Sequence, residues 1–209
     1  MAVLIMLETN HLILRDFKEE DIKKRIQWET VETEWKLWDG PWEYESMTEQ
    51  EEEESLNAYI ENMKKWVENY KVKSDKDRRY TFQIEEKSAE NNYIGWASSY
   101  CITKDYSYTD ETTERWAIGI DFPDRSARGK GYAYEALCAF IAYMKEQGES
   151  ELYTQTWSGN VRMIHIAEKI GFVECCRKID FRTVRGKKYD GLTFKLDDEK
   201  YREYLSKLS

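Results

Sequence analysis

The stretch Arg125-Ser126-Ala127-Arg128-Gly129-Lys130-Gly131-Tyr132-Ala133 joins a strand-like segment, Thr113 to Phe122, to an amphipathic helix expected from about Tyr132 to Gln147. A strand, a basic turn bearing glycine and a helix N-terminus together make an anion site. Glycine lets backbone amides come close to an oxyanion, and the helix dipole adds partial positive charge. Arg125, Arg128 and Lys130 form a basic island in a chain whose formal net charge is -9. The glycine spacing is neither GxGxxG nor GxxxxGK[ST], which removes support for a dinucleotide or nucleoside triphosphate site.

Downstream of this turn, Ala133, Leu137, Phe140, Ile141 and Met144 share one helix face, and Gly148 is placed to end the helix. Leu152 to Thr156 reads as a short strand. A second helix starts at Asn160, a good N-cap, and stops at Gly171; Phe172 to Arg185 and Lys188 to Leu196 then read as a hairpin turning at Gly186. Upstream, Leu7 to Arg15 alternates as a strand, and Glu19 to Trp28 and Glu49 to Tyr70 carry helical spacing. Arg79 to Glu86, Tyr93 to Thr103 and Thr113 to Phe122 suggest an antiparallel meander, with polar turns at Ser88–Asn92 and Lys104–Thr112. Strands, helix, strand, helix, strands is the order of an α+β fold with a mixed, mostly antiparallel sheet.

The chain has 209 residues and only two prolines, with no Gly/Ser-rich linker, so residues 1–209 read as one domain with its core at about 7–196. With 41% hydrophobic residues it can fill a core, which excludes a disordered composition. The negative charge argues against a nucleic-acid partner and favours a cationic one. The longest apolar run, Ala2 to Leu7, is too short to span a membrane and lacks the features of a secretory signal, so a cytoplasmic protein is expected. Cys101, Cys138, Cys175 and Cys176 form no CxxC pair, and only His11 and His165 are present. Reduced thiols and no metal centre follow from that count.

Arg128-Gly129-Lys130-Gly131-Tyr132-Ala133, followed by Glu135-Ala136-Leu137, resembles the acyl-CoA pyrophosphate loop of the GNAT acetyltransferases. Asn160 to Phe172, an Asn-led helix ending in Glu-Lys-Ile-Gly-Phe, is similar to that family's second signature. Leu7 to Phe17 resembles the first strand of the branch that includes ribosomal-protein N-terminal acetyltransferases. The resemblance implies a splayed central sheet with helices on both faces and acetyl-CoA as co-substrate. It also implies that the amides of Arg128 to Ala133 bind the pyrophosphate. Ile120, Asp121 and Phe122 would bond the pantetheine arm through their backbone, and Asn160 would hold the pantetheine or an ordered water. A primary amine, either a small cationic molecule or a peptide N-terminus, would then attack the thioester directly in a ternary complex. Dimers are common in the branch it resembles. The rival readings are a ribosomal-protein N-terminal acetyltransferase and a non-catalytic acyl-CoA-binding sensor.

Direct attack needs a deprotonated amine, a stabilised oxyanion and a proton for the departing thiolate. The family's frequent Tyr in the second helix is Ala167 here, and its frequent Glu on the central strand is Ala117, so the acid and base do not carry over. Asn160 and Ser158 near the thioester and Glu114 or Asp121 as bases are the catalytic candidates, although for Asp121, at the splayed strand end, backbone contact with the co-substrate is expected rather than proton transfer. The bland readings are a cap for Asn160, a turn for Ser158 and an exposed strand end for Glu114. His165 and Cys138 lie within helices and read as packing residues. Trp28, Trp35, Trp38 and Trp42, with Asp39, Glu43 and Glu45 among them, either fill the core or wall an amine site through cation-π contact.

Overall fold

The computed structural model describes residues 6–87, 92–112 and 115–208. They cluster in two compact units, the first holding the chain up to Ala97 together with Asp121–Ala136, the second holding Ser98–Ile120 and everything from Leu137 onward.

In the first unit the opening segment is two strands rather than the single strand expected, β1 (Met6–Glu8) and β2 (Leu12–Arg15), paired antiparallel with Met6 opposite Arg15. Thr9 causes the break. Its hydroxyl accepts the Leu12 N–H at 3.0 Å while its own N–H donates to the Leu12 carbonyl at 3.0 Å, closing a turn that competes with extended pairing. Strand β3 (Thr81–Glu86) pairs antiparallel with β2, and β4 (Asn92–Ile102) follows β3 in the sheet. Helix α1 (Asp21–Thr30) leads to 3-10 turns at Thr33–Leu37 and Pro41–Glu43, and then to α2 (Glu49–Val72). Thr48 and Glu51 cap α2 reciprocally, which satisfies two of its orphan donors. The β2–α1 junction is fixed by buried ions: Arg15 donates to both Asp21 oxygens at 2.7 and 2.8 Å and to Glu85 at 2.5 Å, and Arg79 grips Asp16 at 2.9 and 3.0 Å. Such pairs specify geometry more than they add stability, because desolvation offsets much of the Coulomb gain.

Strand β4 continues into the second unit at Ser98. There it pairs with the two-residue β5 (Tyr108–Thr109) and neighbours β6 (Trp116–Asp121), and the order runs on through β7 (Leu152–Trp157), β9 (Lys187–Leu196) and β8 (Phe172–Val184). Helices α3 (Tyr132–Glu146), α4 (Val161–Ile170) and α5 (Asp198–Ser206) complete the element order. Pairs β1–β2, β2–β3, β4–β5, β7–β9 and β8–β9 are antiparallel and β6–β7 is parallel, giving the mixed, mostly antiparallel α+β sheet of nine strands. The parallel pair is short. It holds only Trp116 to Leu152 and Ala117 to Tyr153, after which the Thr154 hydroxyl takes the Ile118 carbonyl at 2.8 Å and the strands part. That parting is the splay expected of the central sheet. Ile102, Ala117 and Tyr153 form a buried cluster in the same unit.

Neither β5 nor α5 is expected from the sequence. Two residues carry no period, and α5 is set mainly by Asp197, whose Oδ1 accepts the Glu199 and Lys200 N–H groups at 3.0 Å each.

Candidate functional site

The basic turn lies in the first unit and is built by its own capping groups. Asp124 Oδ1 accepts the Ser126 N–H at 2.9 Å and its hydroxyl at 2.7 Å, while Lys24 meets the other oxygen at 2.9 Å; this closes the 3-10 turn Arg125–Ala127. Gly129 and Gly131 then adopt φ values of +75° and +82°, the left-handed region that favours glycine. The Gly131 carbonyl accepts the Tyr134 and Glu135 N–H groups at 3.1 and 3.3 Å, starting α3. The N–H groups of Gly129, Lys130, Gly131, Tyr132 and Ala133 make no hydrogen bond among the described residues. A Cβ at either glycine would meet no protein atom within 4 Å. Successive unpaired amides at a helix start, with open space in front, suit a phosphate oxyanion. Acetyl-CoA fits this donor set.

The side chains add something the linear reading missed. Arg128 pairs with Glu34 and also donates to the Phe122 and Pro123 carbonyls at 3.4 and 3.3 Å, and Arg125 approaches the same Glu34 oxygen at 3.5 Å. Lys130 and the Tyr132 hydroxyl share Glu86 Oε1 at 2.9 and 2.5 Å. Glu86 is held below the usual carboxylate range by these two donors, and the same bond pushes the Tyr132 phenol up to about 12. The island thus carries its own counterions, brought from 94 and 44 residues away, and no local pattern announces them. Glu135 of the same motif accepts the His11 backbone N–H at 2.7 Å and meets its ring at 2.9 Å, fastening the β1–β2 turn to α3.

Asp121, the last residue of β6, and Phe122 after it lie in the same unit as the turn. A Cβ on Gly95 would sit 2.1 Å from the Asp121 carbonyl oxygen, so only glycine permits this approach. The Asp121 carboxyl is pushed well above its ordinary value by burial first and by the charge of Asp39 second; Arg25 and a hydrogen bond from the Trp96 indole oppose the shift. Arg25 lies 3.3 Å over the Trp96 ring and donates to Tyr93, Tyr59 and Gln83 at 2.6, 3.0 and 2.9 Å. Desolvation by the surrounding protein first, then repulsion from Glu43 and Glu29, raises Asp39 to about 6. Burial and the same carboxylates push Tyr44 up. The four tryptophans divide. Trp28 and Trp35 are core, packed with Tyr93 and Trp96, whereas Trp38 and Trp42 are half-buried. A tryptophan wall therefore reduces to Trp38 and Trp42.

The other candidates, Ile120, Ser158 and Asn160, belong to the second unit. Asn160 caps α4 with its side-chain oxygen on the Met163 N–H at 3.1 Å. Ser158 exchanges bonds with Asp190, its N–H donating to the Asp190 carbonyl at 2.8 Å and its hydroxyl accepting the Asp190 N–H at 3.0 Å. Glu114 lies outside the described residues. Burial pushes the Cys138 thiol up to about 11, which suits packing rather than nucleophilic attack. Among the described residues no cluster suits a metal ion, and no helix is long and apolar enough to cross a membrane.

The raised Asp39 gives a stability prediction with a definite sign. Its folded value of about 6 exceeds the ordinary 3.8, so the folded chain binds the extra proton and loses stability as pH rises between those values. Asp39→Asn should therefore raise Tm over the wild type at pH 8, with the difference vanishing below pH 4. Thermal scans at both pH values check it, and a lower Tm for the variant at pH 8 would contradict the repulsion.

Comparison with known proteins accords with this geometry. The Acetyltransferase (GNAT) domain family matches residues 11–173. Among solved structures, a GNAT-family acetyltransferase from Bacillus anthracis superposes with TM-score 0.63 at 16% identity, covering 93% of this chain and 99% of that one. A GCN5-related N-acetyltransferase from Brucella melitensis gives 0.64 at 16%, covering 98% and 86%. The ribosomal-protein-S5-alanine acetyltransferase from Vibrio fischeri gives 0.65 at 16%, covering 93% and 98%. These likenesses show the fold. None of the curated proteins matches the chain significantly. With a matched domain spanning most of its length, the chain belongs to the GNAT acetyltransferase family.

Proposed function

We propose that the chain moves an acetyl group from acetyl-CoA to a primary amine by direct attack in a ternary complex, with residues 1–209 acting as one catalytic domain. The observation that carries this reading is the run of five backbone N–H groups, Gly129 to Ala133, unpaired among the described residues at the start of α3. Bound acetyl-CoA supplies the electrophilic thioester carbonyl; the protein supplies positioning and proton transfer. The amides of Gly129 to Ala133 hold the pyrophosphate, and the backbone of Ile120 to Phe122, beyond the paired residues of β6 and β7, holds the pantetheine. The Asp121 carboxyl accepts the proton of the incoming ammonium. Asp39, Glu43 and Glu29 give that ammonium a negative field beside Trp38 and Trp42. Those carboxylates also favour the charged amine, so a base of raised pKa is needed to take the proton away. The acceptor is therefore a cationic amine. Thiol release from acetyl-CoA against a panel of diamines, amino-acid amides and peptide N-termini tests the reading, and no amine-dependent release across the panel would favour a non-catalytic acyl-CoA-binding protein.

Asn160 is assigned two duties, capping α4 and presenting its amide to the pantetheine or its water. Substitution separates them. Asn160→Ala should lose about 1 kcal/mol of stability with its cap, whereas Asn160→Ser and Asn160→Asp keep a capping oxygen and the wild-type Tm. All three lack the amide and should lose about tenfold in kcat, a typical cost of one hydrogen bond. Full turnover by the Ser variant would leave Asn160 a cap alone.

A further inference from the structure

We propose that Glu34 is a positioning residue that couples the anion loop to the acceptor-side segment, releasing that segment when the loop takes its phosphates. This rests on the reading of Arg128 to Ala133 as the acyl-CoA loop.

Glu34 sits in the 3-10 turn Thr33–Leu37, one residue before the core anchor Trp35, whose indole N–H donates to the Trp28 carbonyl at 2.9 Å. Its carboxylate is a node between two functional segments. From the loop it receives Arg128 Nη1 and the flank of Arg125 at 3.5 Å; from the acceptor side it receives the Trp38 indole N–H at 3.3 Å. Trp38 in turn precedes Asp39, and both backbone N–H groups bond the Trp35 carbonyl, at 2.9 and 3.2 Å. One carboxylate thus ties the guanidinium groups of the loop to the turn that carries Trp38 and Asp39.

The loop's ligand would compete for the same fork. All three nitrogens of the Arg128 guanidinium are engaged within the first unit, by Phe122, Glu34 and Pro123. A pyrophosphate brings at least two charges and several acceptor oxygens to the neighbouring amides, so it outbids a single half-exposed carboxylate for Arg128 and Arg125. Glu34 then repels the arriving anion and loses its cationic partners together. Both effects loosen the Thr33–Asp39 turn, and the freed carboxylate joins the negative field that draws the amine. Glu86, by contrast, neutralises Lys130 without touching that turn.

The charge sign separates this role from a merely structural one. Glu34→Gln removes the counter-charge while keeping the shape, so CoA should bind about threefold more tightly by calorimetry, the scale of one partly exposed ion pair. A structural brace would give the opposite sign, with weaker binding. Hydrogen exchange supplies the second readout and needs no acceptor. In the wild type, CoA should speed exchange of the Trp38 and Asp39 amides; in Glu34→Gln these should exchange fast already and ignore CoA. Glu86→Gln should tighten CoA comparably yet leave those amides as slow as in the wild type until CoA is added. Wild-type protein that binds CoA, with Glu34→Gln binding it equally or more weakly, or with no change in the two amides, overturns the coupling and leaves the loop assignment standing. Wild-type protein that binds no CoA overturns the loop assignment itself, and the coupling with it.

Discussion

Gly131→Val is expected to lower CoA affinity by more than about a hundredfold while leaving a folded protein. Two physical effects act together. The backbone at Gly131 has φ of +82°, where a β-branched side chain is strained, so the turn must shift or store about 1 to 2 kcal/mol. The valine methyls would also stand in the open space before the amides of Gly131 and Tyr132. Each hydrogen bond to a charged oxyanion contributes about 1.5 to 3 kcal/mol, so losing two accounts for the predicted factor. The stability loss should be modest, because no protein atom lies within 4 Å of the built Cβ and the helix can still start from the Gly131 carbonyl. Lys130→Gln provides the contrast. Its ammonium is partly exposed and already paired with Glu86, so its removal should weaken CoA by less than about fivefold. Calorimetry on variants with native circular dichroism checks both, and unchanged CoA affinity in folded Gly131→Val would remove the pyrophosphate from this turn.

What could be read from the sequence was what short-range rules govern. The cap at Asn160, the left-handed Gly171 that ends α4 and the hairpin turn at Gly186 each follow from the residue itself and its immediate neighbours, and the structure has all three. The basic turn before α3 was legible for the same reason. Features set by long-range packing were not. Nothing in the spacing of Glu34 and Glu86 tells that they neutralise Arg128 and Lys130, because the pairing depends on where β3 and the 3-10 turn are carried by the fold. The tryptophans were ambiguous on the same ground: Trp28 and Trp35 are core only because Tyr93 and Trp96 of β4 pack against them. At Asp121 the sequence pointed to a backbone contact from its position at a strand end. The carboxyl stands out only once burial and the charge of Asp39, 82 residues earlier, are both in view.

That carboxyl gives the other large expected effect. Asp121→Asn should lower kcat about a hundredfold or more near neutral pH, the usual range for losing a positioned proton acceptor. The substitution keeps the backbone carbonyl and N–H, so a role confined to peptide contacts with the pantetheine would leave kcat untouched. Asp121 and Asp39 repel one another, and their protons leave in steps that belong to the pair rather than to either residue. Asp121 can accept a proton only once it has lost its own, and the negative charge of Asp39 then helps to hold the ammonium beside it. Activity in the wild type should therefore rise with pH as Asp121 gives up its proton and then level off. Without Asp121 the reaction depends on amine that is already neutral in solution, so the variant's rate should keep climbing toward the amine's own pKa. The ratio of wild-type to variant rate should shrink steadily as pH rises, while CoA affinity stays within twofold. A variant with wild-type kcat, or a defect of constant size from pH 6 to 9, would move the proton acceptor elsewhere.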